Sequence, residues 1–226
     1  PLIISGGTIE EATEAQATVT IEDARGRVAR GEGRVFLSAL WAWPRSQHGL
    51  LERVDAMQQM CLDVADFAPV LCVEYDHPIA HGLRLDEWVD GHRVAVGLRL
   101  FIREKMPRLA ALVSLSPFAA ALHDAYGKLH DRSSYQTLAQ EFTGGDLARW
   151  LGPLGKGRYL DEFIYPRGRR ELDAWLVIGS NDPMREADAP DLGDGLPASV
   201  EGWLRRCGYR CFKLKVKGAD PQADAE

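Results

Sequence analysis

Two lysines separated by one residue, Lys213-Leu214-Lys215, are the side chains whose type and spacing most directly suggest chemistry. On a β-strand successive side chains point to opposite faces, so Lys213 and Lys215 share one face, with Cα atoms roughly 6.5–7 Å apart. Phe212, Leu214 and Val216 share the other face, which suits packing against a helix layer. Strands of a parallel sheet are normally covered on both faces and read as near-continuous apolar runs. Two inward ammonium groups break that rule, and burying charge without partners is costly. Such departures are expected where a site is built. An amine beside a second cation, and partly desolvated, holds its proton less firmly, which lets it remove a proton from carbon. The same spacing also suits an exposed edge strand whose lysines block aggregation, and the pattern alone leaves both readings open.

The elements around the pair decide how it is presented. An apolar strand is expected over residues 172–178, then a loop from Gly179 to about Gly195, then a helix opening at Pro197 and stopping at Gly208. A second strand, 209–216, follows directly and carries the lysines. Strand, crossover helix, strand is a βαβ unit, which implies parallel pairing. Upstream, a Gly-, Arg- and Pro-rich stretch at 154–170 separates this unit from a different kind of pattern. Ala17-Thr18-Val19-Thr20-Ile21 alternates as a strand, Asp23-Ala24-Arg25-Gly26 supplies a turn, and 27–35 returns as the partner strand. From Gly49 the period becomes helical, with Leu50, Val54, Met57, Cys61 and Val64 on one face. Further helices are expected around 85–104, 107–129 and 146–151.

Composition bounds the partners. A net charge of −6 argues against general nucleic-acid affinity. The 46% hydrophobic and 27% charged content is that of an ordinary globular chain. No apolar run is read as approaching the ~20 residues that span a bilayer, so no membrane partner is expected. Pro1-Leu2-Ile3-Ile4-Ser5 has neither a basic region nor a long apolar core, so no signal peptide is read, and no initiator Met is present. Cys61, Cys72, Cys207 and Cys211 form no CxxC and are expected to be reduced, mostly buried thiols of a cytoplasmic protein.

Three segments carry a resemblance. Gly208-Tyr209-Arg210-Cys211-Phe212-Lys213-Leu214-Lys215-Val216 resembles the second barrel strand of the enolase superfamily, mandelate racemase/muconate lactonizing type. Ala119-Ala120-Ala121-Leu122-His123-Asp124-Ala125-Tyr126-Gly127-Lys128 is similar to the family's Ala-rich helix ending in Asp-Ala-x-Gly-Lys. Gly26-Arg27-Val28-Ala29-Arg30-Gly31-Glu32-Gly33 is similar to its Gly-x-x-x-x-Gly-Glu hairpin. They stand in family order. The resemblance implies an α+β capping domain, antiparallel meander plus helices, over 1–165. The start of a TIM-type (β/α) barrel would follow over 166–226, its first βαβ unit, truncated after the second strand.

By that resemblance Lys215 is the base that removes the proton α to a substrate carboxylate, or its acid counterpart, and Lys213 tunes it and helps bind the carboxylate. A Mg²⁺ ion would stabilise the enediolate, with ligands expected beyond residue 226; no metal ligand is assigned within the chain. A small carboxylate, an acid sugar for preference, is the implied substrate, and a homo-oligomer the implied assembly. Dehydration, racemisation or epimerisation, and cycloisomerisation stay open. So do a Schiff-base aldolase and a non-catalytic relative that binds a ligand or serves in an assembly.

Other positions follow from the barrel expectation. Barrel sites gather at the carboxyl ends of strands, which turns the loop with Asn181 and Asp182 toward substrate. Trp41 and Trp43, in a Trp-Ala-Trp-Pro run, would belong to capping loops that exclude water. Asp188, Asp191 and Asp194 are read as a solvated face, and His77-Pro78-Ile79-Ala80-His81 is set aside as a metal site because Pro78 is expected to prevent a regular helix from aligning both imidazoles. Glu32 and Asp124 are expected to hydrogen-bond within the capping domain.

Overall fold

This computed structural model describes residues 2–4, 7–9, 11–164, 171–179, 182–216 and 222, the first two groups by backbone only. The chain divides into two compact units, 1–168 and 169–226.

The first unit opens with two antiparallel pairs. β1 (Leu2–Ile4) pairs with β2 (Gly7–Ile9). β3 (Glu14–Glu22) pairs with β4 (Val28–Phe36), Glu14 opposite Phe36 and Glu22 opposite Val28. Asp23 sets the turn between them: its Oδ1 accepts the N–H groups of Arg25 and Arg27, both at 2.9 Å. Gly26 takes the left-handed φ of +75° that this turn needs. Strand alternation sends Ala15, Ala17, Val19 and Ile21 toward the core.

Helices α1 (Ala39–Ala42), α2 (Leu50–Leu71), α3 (Pro78–Arg99) and α4 (Arg108–Leu129) follow. Met57, Met60 and Val64 of α2 and Leu85, Val89 and Val96 of α3, at helical spacing, are buried together. α4 lies against β3, β4, α2 and α3. Pro117 inside α4 lacks the N–H that would meet the Val113 carbonyl, and Ser116 Oγ donates to that carbonyl instead at 2.8 Å. α4 is long and apolar enough to span a bilayer, which the sequence reading did not anticipate; here it packs against the hairpin and the neighbouring helices. Short helices α5 (Gln140–Thr143) and α6 (Ala148–Leu151) complete this unit's helices.

Two boundaries of α3 differ from expectation. It starts at Pro78, not near 85, because proline is favoured at the first helical position, and His77 Nδ1 caps it by accepting the Ile79 N–H at 3.2 Å. Pro78 therefore begins a helix here; it does not prevent one. At the other end Phe101 adopts φ +57°, and the Ile102 N–H turns back to the Gly97 carbonyl at 2.9 Å. This left-handed closure stops α3 at Arg99, short of the expected 104.

The second unit holds β5 (Trp175–Ile178), α7 (Val200–Cys207) and β6 (Cys211–Leu214). β5 and β6 pair in parallel, Trp175 opposite Cys211 and Ile178 opposite Leu214. α7 begins later than Pro197 because Ser199 is its cap, Oγ accepting the Gly202 N–H at 3.0 Å. Gly208, at φ +64°, ends it. Among the described residues this is the only parallel pair, and a barrel shares such a pair with other α/β folds.

Candidate functional site

The lysines sit where the alternation places them, Lys213 inside β6 and Lys215 just past it, where the Lys215 N–H continues the ladder to the Ile178 carbonyl at 2.8 Å. Because β5 and β6 run parallel, Lys215 and the loop after Ile178 lie at the same carboxyl edge. Asp182 stands in that loop, exposed, with Oδ2 accepting the Gly179 N–H at 2.7 Å, so one carboxylate oxygen is committed to shaping the turn. Asn181 lies outside the described residues. The expected desolvation of the lysines is not found: Lys213 and Lys215 are exposed. So are Phe212, Leu214 and Val216 on the other face. The physical reason is size, since a two-stranded sheet with one two-turn helix cannot cover both of its faces.

Trp41 and Trp43 part company. Trp43 is 1% exposed, packed in the core, with its carbonyl taking the Arg53 guanidinium, so it serves packing and is not free to face a substrate. Trp41 is 60% exposed. The loop carboxylates Asp191 and Asp194 accept the Gly193 and Leu196 N–H groups, local turns on a solvated face. The cysteines are free, but none is fully buried: Cys207 is exposed and the other three are half-buried. Burial pushes the Cys61 thiol up to about 11.

The hairpin and α4 meet through the residues that stood out in sequence. A Cβ on Gly31 would lie 2.1 Å from the Ala121 carbonyl oxygen and 2.3 Å from the Ala125 N; one on Gly33 would lie 2.0 Å from the Pro117 carbonyl oxygen. The two backbones touch there. Glu32 donates its N–H to Asp124 Oδ2 at 2.9 Å, and Lys128 Nζ reaches the same oxygen at 2.7 Å. The Lys128 ammonium and then the Glu32 N–H hold the Asp124 carboxyl below its usual range.

A cleft of about 530 Å³ opens beside this assembly, walled by β3, the end of α2, the start of α3 and α4. Sequence reading missed it, because its walls come from three stretches far apart in the chain, 18–22, 65–85 and 118–126, that share no spacing. His81 lines it, buried, with Nδ1 lacking any partner among the described residues. Burial first, then Arg84 and Arg149, hold the His81 imidazole below its usual range against the opposing pull of Asp76. Burial also pushes Asp76 up, but the His77 N–H and the Arg149 guanidinium together hold its carboxyl below the usual range. Tyr126, its phenol pushed up by burial, donates to the Phe142 carbonyl at 3.2 Å.

Among the described residues no group of three or more His, Cys, Asp or Glu side chains is placed to hold a metal ion. The described residues therefore do not by themselves form the Mg²⁺ site that the resemblance implies. A scan against protein-family models finds no match, and neither do searches of curated proteins and of solved structures.

Proposed function

We propose that this chain carries the capping domain and first βαβ unit of an enolase-superfamily enzyme of the mandelate racemase/muconate lactonizing type, which removes the proton α to a small carboxylate. The observation that carries the reading is the parallel strand–helix–strand unit. It aligns Lys213 and Lys215 on one side of β6 and brings Lys215 to the carboxyl edge that it shares with the Asp182 loop. Ligands of parallel sheets gather at that edge. The contact of Gly31-Glu32-Gly33 with Ala121, Asp124 and Ala125 supports the capping-domain half, because it makes one physical unit of two segments noted separately for their family likeness.

In this reading the Lys215 amine takes the α-proton, and the electron pair left behind spreads onto the carboxylate as an enediolate. Lys213 offers positive charge to the same carboxylate. Return of a proton gives racemisation, and loss of a β-leaving group gives dehydration. A bound Mg²⁺ would supply charge neutralisation at the carboxylate from ligands outside the described residues.

The test is α-proton exchange in D₂O across a panel of carboxylates, with Mg²⁺, on protein made from the complete coding sequence. Lys215→Ala should lower exchange by about 10²–10⁴-fold, the usual contribution of a positioned base. Exchange unchanged by Lys215→Ala removes the proposed base. A borohydride-trapped carbonyl adduct on Lys215 would replace the reading with a Schiff-base aldolase.

A further inference from the structure

We propose that His48 is a proton-operated latch: its neutral ring holds the loop between α3 and α4 closed, and protonation releases it. This latch is independent of the proposed catalytic role. Residues 100–107 form the loop, and it is pinned from two sides. On its own side, the Ile102 N–H returns to the Gly97 carbonyl at 2.9 Å, Ile102 and Met106 are buried, and the Arg93 guanidinium donates to the Met106 carbonyl at 2.7 Å. Across from it, the segment that leads into α2 supplies two clasps. Ser46 Oγ donates to the Glu104 carboxylate, and His48 Nε2 accepts the Arg103 N–H at 3.2 Å. The His48 N–H donates to Ser46 Oγ at 3.0 Å, which joins the two clasps.

The partners fix where the imidazole carries its hydrogen. A backbone N–H can only donate, so Nε2 must present its lone pair, and a neutral ring then bears its hydrogen on Nδ1. Nδ1 lies 3.6 Å from the Glu52 carboxylate, the side on which an N–H belongs. Both contacts require one tautomer. An imidazolium has hydrogen on both nitrogens and accepts nothing; its Nε2–H would face the Arg103 N–H, donor against donor. The charges around the ring come from both segments. Glu52 is the carboxylate within ion-pair reach among the described residues, its Oε2 also accepting the Gly49 N–H, while Glu104 is engaged by Ser46. Arg53 is turned to the Trp43 and Gly49 carbonyls, and Arg45, Arg103 and Lys105 are exposed. Glu52 thus stabilises the imidazolium once the Arg103 contact is given up.

The loop itself is set to respond. Phe101 holds φ +57°, in the left-handed region that a bulky side chain adopts only under constraint. It is 89% exposed, so packing of its own ring does little to keep the turn. The constraint comes from the pins on either side, and weakening one shifts the balance toward a relaxed backbone. A proton biases such an element through its different affinity for the two forms. With the loop closed, Nε2 is occupied by a donor and cannot take a proton; with it open, Nε2 can. The closed form is therefore favoured at high pH and lost as pH falls.

Amide hydrogen exchange of the whole chain between about pH 8 and 5, the range in which imidazoles ordinarily change charge, tests the latch. Rates are corrected for the intrinsic pH dependence of exchange, with amides around Ala121 in α4 as the reference for global opening. Protection at Ile102 and Arg103 should fall about tenfold on acidification, the worth of one hydrogen bond, with the same midpoint as the His48 ring resonances. His48→Gln, whose carbonyl oxygen accepts at any pH, should keep that protection flat and high. His48→Ala should keep it flat and low. Phe101→Gly, which removes the left-handed penalty, should raise it at every pH. Protection at Arg103 that does not change with pH overturns the proposal. So does a fall whose midpoint departs from that of the His48 ring, or one that persists unchanged in His48→Gln or His48→Ala.

Discussion

At the scale of single residues, the hairpin's seat on α4 depends on two hydrogen atoms standing where side chains would be. Gly31→Ala would drive a Cβ to 2.1 Å from a backbone oxygen, and Gly33→Ala to 2.0 Å from another. Neither obstacle is a flexible side-chain end, so the helix and hairpin must separate or distort. Overpacking of this kind costs about 1–3 kcal/mol or more. Each substitution should lower the midpoint of thermal unfolding by several degrees. An unchanged midpoint in either variant would show that the close backbone approach is not what holds the hairpin on the helix. These glycines were legible as part of a family-like pattern, but their reason was not, since a close approach between residues about 90 apart leaves no local signature. The lysine pair was legible as to its strand and its parallel pairing, although the strand is shorter than the expected 209–216 and leaves Lys215 just past its end. Its burial was not, because burial depends on what covers a sheet and not on the strand's own alternation.

At the scale of elements, α3 shows how much a helix tolerates when its neighbours supply the order. It carries Gly82 and Gly91 in its interior, and a Cβ at either would meet nothing within 4 Å. Glycine in a helix interior costs about 1 kcal/mol relative to alanine through backbone entropy. Gly82→Ala and Gly91→Ala should therefore each stabilise the fold by about 1 kcal/mol, raising the denaturant midpoint with unchanged slope. A lower midpoint in both would mean that α3 must bend or approach something at those sites. What instead secures α3 is long-range. Asp63 of α2, buried, accepts from Gln59 at 2.9 Å and meets His92 at 2.6 Å and the Arg99 guanidinium, both from α3. Periodicity revealed the four-residue rhythm of α2 and the span of α4. It misplaced both ends of α3, because the start is set by the His77 cap and Pro78, and the stop by a left-handed phenylalanine, Phe101, that no propensity favours.

At the scale of the molecule, four of the chain's six histidines, His77, His81, His123 and His130, lie in the first unit with lowered proton affinity, and that makes its stability a function of pH. His77, His81, His123 and His130 are all held below the ordinary imidazole range, with burial the leading cause for each. For His77, buried and bonded through Nε2 to the Thr137 carbonyl at 3.0 Å, the value falls to about 4. Three of these rings are linked through aromatic contacts: His77 lies 5.9 Å from His123 and 5.2 Å from Tyr126, and Tyr126 lies 4.6 Å from His130. An unfolded imidazole takes up its proton near pH 6.5, while these hold a proton less firmly when folded. Below that pH the unfolded chain binds more protons than the folded one, so stability rises with pH and is lost as pH falls. The loss should begin near pH 6.5 and, for His77, continue to about 4. At about 1.36 kcal/mol per unit, His77 alone is worth on the order of 3 kcal/mol across that window. Urea unfolding at a series of pH values should show stability dropping between pH 6.5 and 4, ahead of carboxylates such as Asp76 and Asp124, whose lowered values defer their own contribution to more acid conditions. His77→Gln keeps a group able to donate to Thr137 but removes the titration, so it should flatten part of that slope even if it lowers stability at neutral pH. A slope between pH 6.5 and 4 that is the same in His77→Gln as in the parent would place the acid sensitivity outside this cluster.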